Sequence, residues 1–444
     1  MPVNDSNMRC VVSHQHINKR FCRVFLIWLS LLPCMGLKSE SITNSMPPVA
    51  LANAPRTFGS SASVGGQLQA DDQIDSPALS PTFIDQYEAW LQRQRSGLRD
   101  HVGLTLAGDY NALVQGATES LGEDWAAGGV FRVYGQWRWP GEPWKNPGSL
   151  TFKFENRHRY TEISPQKFGA QLGYSSLTAI TWSDAGWLLS NFYWHQQFLD
   201  NRLSFVAGIV DVTDYVDTYG LVNPWTDFMN STLSCNPTIA APGQGPGVAV
   251  RGSLTERIYL AAGLADASGD PTQPLDSIEG FFTEAEYFKH IELGWSGSWD
   301  RRMEDNIHVT AWQTSERTKA GIPSGWGVAA SANWLFAERW LPFVRAGWSD
   351  GGGGVPLETA VSAGAGYYLR DRSDLLAIGF TWGRPSTETY DSGLRDEYTL
   401  EMMYRVQLLQ RLSLTPDIQV LVNPALNPDQ DVIAVFGLRA RLTL

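Results

Sequence analysis

The sequence predicts an all-β protein, a transmembrane antiparallel β-barrel of about 16 strands with short periplasmic turns and longer outer loops. Three observations predict it: apolar and polar residues alternate with a period of two after residue 101, the connections alternate between short and long, and one face of the last strand is wholly apolar. A soluble β-sandwich is the alternative. Its strands are typically short, whereas many runs here reach the ten or so residues that a tilted strand needs to cross a bilayer.

Composition supports the barrel and excludes other classes. A mean hydropathy of -0.21 argues against a bundle of membrane-spanning helices. The 18 Trp and 42 Gly suit a barrel with aromatic girdles and tight turns. Residues 1–54 hold five Lys/Arg and two Asp/Glu, so the rest carries 29 basic and 44 acidic residues, a net charge of -15. This acidity argues against a nucleic-acid partner.

The amino-terminal 54 residues have the layout of a secretory leader. The basic residues Lys19, Arg20 and Arg23 precede an apolar run, 24–32, that is too short to span a membrane comfortably. The cleavage point stays open, because the small-x-small triplet at 52–54 lies far beyond that run. Three of the four cysteines fall in the leader, so the remaining chain has only Cys235 and can form no internal disulfide.

Residues 55–100 are predicted to be a flexible lead-in with a short helix. The stretch 55–80 is rich in Ser, Gly, Ala and Asp and is typical of disorder. Phe83 to Leu98 has apolar residues at helical spacing, and we expect a short helix there, just before the first strand.

Residues 101–444 form the predicted barrel. Strands are expected to begin near residues 102, 128, 149, 187, 202, 246, 257, 288, 306, 325, 340, 358, 374, 396, 412 and 431. The stretch 160–186 is less regular and leaves room for a further hairpin. An even number of strands near sixteen encloses an aqueous channel rather than a filled interior.

Alternation places a set of polar and aromatic side chains inside this barrel. Opposed charges across a lumen orient polar solutes, and ring faces suit the C–H face of a sugar. The alternative for each residue is that it only solvates the wall. The predicted pore-lining and substrate-binding residues are Arg132, Tyr134, Arg138, Lys153, Glu155, Arg157, Tyr193, Trp312, Glu401, Arg405, Arg439 and Arg441.

Four segments make the chain recognisable. The terminal LTPDIQVLVNPALNPDQDVIAVFGLRARLTL (414–444) resembles the carboxyl-terminal signature of the carbohydrate-selective porin (OprB-type) family, in which Pro-Asp-x-Gln leads through an Asn-Pro turn into a closing strand with an Arg. GIVDVTDYVDTYGLVN (208–223), GPGVAVRG (245–252) and LAAGLADASGDP (260–271) are similar to that family in its order.

This resemblance covers roughly residues 95–444 and implies a sixteen-stranded outer-membrane barrel that passes sugars passively. It also implies a constriction of inward-folded loop, which we assign to Thr213–Gly245. One departure is the terminal Leu444, where such barrels often end in Phe.

Other chemistry is weakly indicated. The histidines are scattered and no G-x-S-x-G occurs, so no nucleophile and base are predicted within reach of each other, and we expect no enzyme. No cofactor is predicted. Asp211, Asp214 and Asp217 are three residues apart and could meet as a calcium cluster, although a solvated rim is the simpler interpretation.

The functional prediction is a porin of a Gram-negative-type outer membrane for mono- or oligosaccharides. The alternatives are a porin for small anionic or general hydrophilic solutes and, from another class, an outer-membrane enzyme. Expected partners are outer-membrane lipid, lipopolysaccharide and the barrel-assembly machinery, with a homotrimer left open.

Overall fold

The barrel closes on itself by pairing its last strand with its first. The computed structural model describes residues 58–73, 76–138, 148–298, 301–390 and 392–444, apart from the side chains of residues 82–86. Within these ranges sixteen antiparallel strands form one closed barrel, in which each strand pairs with its neighbours in sequence and β16 pairs with β1. The predicted fold class is confirmed. The predicted leader, 1–54, lies outside the described residues.

The strands begin within three residues of the predicted positions. They are β1 Leu104–Ala117, β2 Trp125–Arg138, β3 Gly148–Arg159, β4 Gly186–Phe198, β5 Leu203–Val210, β6 Gly245–Ser253, β7 Ile258–Asp266, β8 Tyr287–Ser296, β9 Asp305–Thr314, β10 Gly325–Trp334, β11 Trp340–Ser349, β12 Leu357–Leu369, β13 Asp374–Pro385, β14 Glu397–Leu409, β15 Leu412–Val422 and β16 Val432–Thr443.

Side-chain exposure follows the pleat, because successive residues of a strand point to opposite faces. In β11 every outward residue from Trp340 to Trp348 is exposed and every inward residue from Leu341 to Ser349 is buried. The outward residues include Val344 at the centre, with a Trp at each end. Apolar residues flanked by aromatic ones are the pattern of a surface that meets acyl chains at its centre and both membrane interfaces at its ends.

The connections at one end are tight turns. The turn after β4 has three non-glycine residues with positive φ, Leu199 to Asn201, and the turn after β12 has another three, Arg370 to Arg372. Left-handed residues let a short connection follow the right-handed twist of its strands. The other end carries the long loops, including 160–185, 211–244 and 267–286.

The described residues also form five helices. They are α1 Val64–Asp71, α2 Thr82–Val102, α3 Pro165–Gln171, α4 Ser231–Ser234 and α5 Pro274–Thr283, with 3-10 turns at Val212–Asp214 and Thr318–Ala320. Helix α2 covers the helix predicted at 83–98 and ends on Gly103, whose φ of 76° suits a residue without Cβ. No described helix is both long and apolar enough to span a membrane.

Two sequence-based expectations differ from the structure. Residues 160–185 hold α3 and irregular chain, and the described residues there form no hairpin. Residues 58–73 belong to the stretch predicted to be disordered, but they form a capped helix with Val64 fully buried. Their composition of small and polar residues resembles that of a linker, but they are ordered because they are buried inside the barrel.

The lumen is partly filled by chain that folds inward. From the loop 211–244, which we call the inward loop, Tyr219, Leu221, Phe228 and Leu233 pack against lumen-facing side chains of β11, β13 and β14, including Phe343. This apolar cluster fastens the loop to one side of the wall.

Candidate pore and its constriction

Described residues line two cavities inside the barrel. The outer cavity, about 570 Å³, is formed by residues at the long-loop end. The inner cavity, about 220 Å³, is formed by residues at the short-turn end. Trp225 of the inward loop lines both cavities and marks the constriction between them.

Strand β3 supplies a row of alternating charge to the outer cavity. Lys153, Glu155 and Arg157 are spaced two apart and therefore share the inward face. Arg157 Nε lies 2.7 Å from Glu155 Oε2, and Lys153 Nζ lies 3.7 Å from Glu155 Oε1. The row presents hydrogen-bond donors and acceptors close together, and its net charge is +1.

The inward loop brings carboxylates to the same cavity. Asp211 accepts hydrogen bonds from the Thr213 hydroxyl at 2.6 Å and from Gln244 at 2.7 Å, while Asp214 accepts one from Asn191 at 3.3 Å. Burial raises the pKa of Asp214 to about 7, although Lys153 opposes the shift. Asp214 therefore changes charge near neutral pH.

Asp217 belongs to a separate ion cluster under the loop. Burial would raise its pKa, but the Arg345 guanidinium at 2.6 Å and the His308 ring at 3.0 Å outweigh it and lower the pKa to about 2. The three aspartates thus have different partners and do not share a helical face. Among the described residues, no three His, Cys, Asp or Glu side chains are placed to hold a metal ion. Calcium binding stays an untested prediction.

An aromatic and basic cluster forms the constriction. The guanidinium carbon of Arg132 lies 3.8 Å from the centre of the Trp225 ring, and the Trp182 ring centre is 5.2 Å from that of Trp225. Arg132 Nε lies 2.8 Å from Asp109 Oδ1, and Arg441 Nε lies 2.7 Å from Asp109 Oδ2. Asp109 therefore partly neutralises both cations, including Arg132, which lies over the ring.

Buried side chains of the wall hold the inward loop in place. Glu401 accepts from the main-chain N–H groups of Met229 and Asn230 at 2.7 and 3.1 Å. Arg345 donates to the carbonyl oxygens of Leu233 and Cys235, and Arg439 donates to that of Pro224. Since these contacts satisfy main-chain groups that have left water, they fix the loop against β11, β14 and β16.

All twelve predicted site residues point into the barrel, but only six of them line a cavity. Lys153, Glu155 and Arg157 line the outer cavity, and Arg132, Arg405 and Arg441 line the inner one. The others do not line either cavity; they are Tyr134, Arg138, Tyr193, Trp312, Glu401 and Arg439. Trp312 stacks on Phe288, and Glu401 lies beneath the inward loop. A role in solute binding stays a prediction for every one of the twelve.

Sequence reasoning missed Trp225 and Asp109. Trp225 lies in a loop, where no periodicity indicates which way a side chain points. Asp109 is on β1, inward and fully buried, and the Ala107 and Gly108 that precede it give the strand only a weak alternation signal. The resemblance assigned a constriction to Thr213–Gly245, and that loop does fold into the barrel.

An Asp–His pair tests the enzyme alternative. Asp217 contacts His308, and Ser331 is directly opposite His308 in the β9–β10 register. His308 and Ser331 are 2% and 3% exposed, and neither lines either cavity. A substrate therefore has no access to these groups while the inward loop is in place. Cys235 is a free thiol whose pKa burial raises to about 11, so it is a poor nucleophile near neutral pH.

Comparison with known proteins gives a family match over part of the chain and a shared fold. Residues 295–444 match the sequence model of the carbohydrate-selective porin, OprB family, which confirms the resemblance for this part of the chain. Porin AaxA of Chlamydia pneumoniae is 35% identical over 78 residues, which is 17% of this chain and only 18% of that porin's length.

A solved structure shares the barrel across most of the chain. The high-pH structure of Pseudomonas putida OprB superposes with a TM-score of 0.60 at 15% identity, covering 80% of this chain and 97% of that one. The low-pH structure of the same protein gives a TM-score of 0.47 at 14% identity, covering 80% and 96%. The partial family match and the shared barrel are both to porins.

Proposed function

We propose that this protein, whose residues 295–444 carry the OprB family's sequence pattern, is an outer-membrane porin for passive diffusion of sugars. The observation that carries the proposal is the outer cavity, in which the Trp225 ring closes the floor of a space bordered by Lys153, Glu155 and Arg157. No chemical step is involved. Solutes enter from the long-loop side, pass the constriction at Trp225 and leave through the inner cavity.

The chemistry of this cavity favours neutral, polyhydroxylated solutes. A sugar hydroxyl both donates and accepts, so it can bond to Glu155 and to either neighbouring cation at once. The ring of Trp225 offers an apolar surface to the C–H groups of the sugar. Because Glu155 lies within 4 Å of both cations, an anion meets little uncompensated positive charge there. Such binding is weak enough for release, as conduction requires.

The location and partners follow from the same proposal. The protein is a multi-pass protein of a Gram-negative-type outer membrane, surrounded by its lipid and lipopolysaccharide and inserted by the barrel-assembly machinery. In this proposal the lumen of one barrel is the whole pathway, so a homotrimer is compatible with transport but not needed for it. Diffusion through such a lumen requires no cofactor and no catalytic residue.

Planar-bilayer recording of the purified protein tests the proposal. We expect steady conductance that neutral monosaccharides block in a concentration-dependent way. Trp225→Ala should weaken this block about fivefold, corresponding to roughly 1 kcal/mol of lost ring contact. Trp348→Ala makes the same change on the outward face, where the ring is 46% exposed, and should leave the block unchanged.

Two results would contradict sugar selectivity. Block by small carboxylates but not by neutral sugars would favour the anion porin, and block by neither would favour a general porin. Absence of conductance from the correctly folded full chain would contradict passive diffusion through it.

A further inference from the structure

Residues 58–73, which we call the luminal segment, lie inside the barrel between the two cavities. Ala62 borders the outer cavity, whereas Ser61, Gln67 and Asp71 border the inner one. The segment also contacts the inward loop: Ser60 N donates to Asp214 O at 2.7 Å, and Asn223 Nδ2 donates to Ser61 O at 3.0 Å. It therefore occupies the gap that the inward loop leaves open.

The segment is packed on the wall at the opposite side. Val64 and Leu68 of α1 are 0% and 5% exposed, and they form an apolar cluster with Ala107 of β1 and Tyr134 of β2. The Tyr134 hydroxyl donates to Asp71 at the last turn of α1. These contacts place the helix against β1 and β2, facing the inward loop across the lumen.

The turn before α1 is fitted to a narrow space. Ser63 Oγ donates to Ser60 O at 2.6 Å and accepts from Gly66 N at 3.2 Å, so one side chain closes the turn and caps the helix. A Cβ on Gly59 would lie 2.9 Å from Asp214 O and 2.3 Å from Ser63 Cβ. A larger residue at position 59 therefore cannot keep both this turn and its close approach to the inward loop.

The segment also covers three guanidinium groups of the wall. Arg251 Nη1 donates to Phe58 O at 2.5 Å, and Arg302 donates to the carbonyl oxygens of Phe58 and Gly59. Arg441 Nη2 lies 2.9 Å from Asp71 Oδ1. Arg251 and Arg302 are 2% and 6% exposed with the segment in place. Without it, these three cations would face an enlarged lumen, and Arg441 would lose one of its two carboxylate partners.

We propose that the luminal segment sets the specificity of the channel, in both size and charge. It narrows the pathway to the space beside Trp225, and it shields Arg251, Arg302 and Arg441 from the solution. The pathway is then selective for neutral solutes, whereas a lumen lacking the segment is wider and selective for anions. This inference rests on the proposed function, because it needs a lumen that conducts.

Deletion of residues 58–73 from the full chain, followed by recording in a salt gradient, tests the proposal. We expect single-channel conductance to rise at least twofold and the reversal potential to shift toward the anion side. Combining the deletion with Arg251→Gln, Arg302→Gln and Arg441→Gln should keep the higher conductance but abolish the anion preference, because the width and charge effects have separate origins. Heat-modifiable migration in gel electrophoresis verifies that each barrel has folded.

A point substitution tests the same idea with the segment present. Gly59→Leu should displace the segment and reproduce part of both changes. Gly97→Leu on α2 is the matched control, since a Cβ there meets nothing within 4 Å, and it should behave as wild type.

The possible outcomes separate the two proposals. If the wild type conducts and the folded deletion variant has the same conductance and reversal potential, the segment does not shape the pathway and this inference is wrong. If the wild type is silent and the deletion variant conducts, the segment is a closed plug, which also contradicts a filter. If neither conducts, the channel function itself is rejected.

Discussion

Asp109 shows how single residues make a charged lumen possible in a stable barrel. It is fully buried and lies between Arg132 and Arg441, which hold it at 2.8 and 2.7 Å. A buried ion pair contributes little net stability, but removing one partner leaves the other charge buried and uncompensated. Here one carboxylate serves two cations, and one of them supports the Trp225 ring.

We therefore expect Asp109→Asn to destabilise the barrel by about 3–5 kcal/mol. Urea unfolding in lipid vesicles measures the change. Asp396→Asn removes the charge partner of Arg384 in a pair whose side chains are 51% and 35% exposed. The Asn side-chain oxygen can still accept from Trp382 Nε1, so the change should cost less than about 1 kcal/mol. Equal effects of the two variants would contradict the role given to burial.

Asp214 gives the outer cavity a charge that depends on pH. Burial raises its pKa to about 7; Lys153 lowers it, and Asp211 and Glu155 raise it further. The carboxyl is therefore neutral below this pH and negative above it. We expect cation preference, measured as reversal potential, to increase as pH rises through about 7.

Asp214→Asn keeps the side-chain shape and should abolish this pH dependence while leaving conductance near that of wild type. Asp431→Asn changes an exposed carboxylate of an outer loop, with 86% side-chain exposure, and should leave the dependence intact. A pH dependence that persists in Asp214→Asn would assign the titration to another group.

The side-chain direction of each predicted site residue followed from the sequence, but its surroundings did not. A period of two assigns Arg439 and Glu401 to the lumen face, and both are there. Whether such a residue meets solvent depends on chain that folds over it from elsewhere. Glu401 lies under residues 229 and 230, which are more than 170 positions away in sequence. No local pattern carries that information.

At the scale of elements, the inward loop is held by a few buried anchors. Glu401 accepts from two main-chain N–H groups, and the Asn230 side chain caps α4 by accepting from Thr232 N at 3.0 Å. Since α4 has only four residues, its conformation depends on these contacts more than on helix propensity. The position of Trp225, five residues before Asn230, depends on the same anchors.

Glu401→Ala should loosen the inward loop, because each buried N–H left without a partner costs about 1–3 kcal/mol. The expected result is increased open-channel current noise and a less regular sugar block. The contacts of the Glu358 side chain with Thr387 are longer than 3.3 Å, so Glu358→Ala should show the current noise and sugar block of wild type. Unchanged noise in Glu401→Ala would mean that the apolar cluster alone holds the loop.

Elements with a strong period were predictable and short irregular ones were not. The first residue of every strand lies within three positions of its prediction, since alternation and turn residues are local signals. Helix α1 reads VGGQLQAD and has two glycines in eight residues, so propensity argues against a helix there. It forms because Ser63 caps it and the lumen buries it, and only the assembled barrel supplies the second condition.

At the scale of the whole molecule, the barrel is inverted relative to a soluble protein. Its outward residues are apolar, as with Val344 at 51% and Leu438 at 45% exposure, and its charges are inside. In water this surface would promote aggregation. The barrel is stable only where acyl chains surround this surface. Within the thickness of the membrane, the inward charges are then its main polar groups.

Because the outward face meets lipid, the free-energy cost of placing a charge there should depend on its depth in the bilayer. A soluble protein cannot show this dependence. Leu438 lies near the middle of β16 and faces outward, whereas Leu444 follows the last residue of that strand. A lysine at the bilayer midplane costs about 2–4 kcal/mol but only about 0–1 kcal/mol near the interface. Leu438→Lys should therefore destabilise the protein strongly in vesicles, and Leu444→Lys hardly at all. In a soluble barrel both residues would be exposed to water, and the two lysines would be equally harmless. Equal unfolding midpoints of the two variants would therefore contradict the membrane-spanning arrangement on which transport depends.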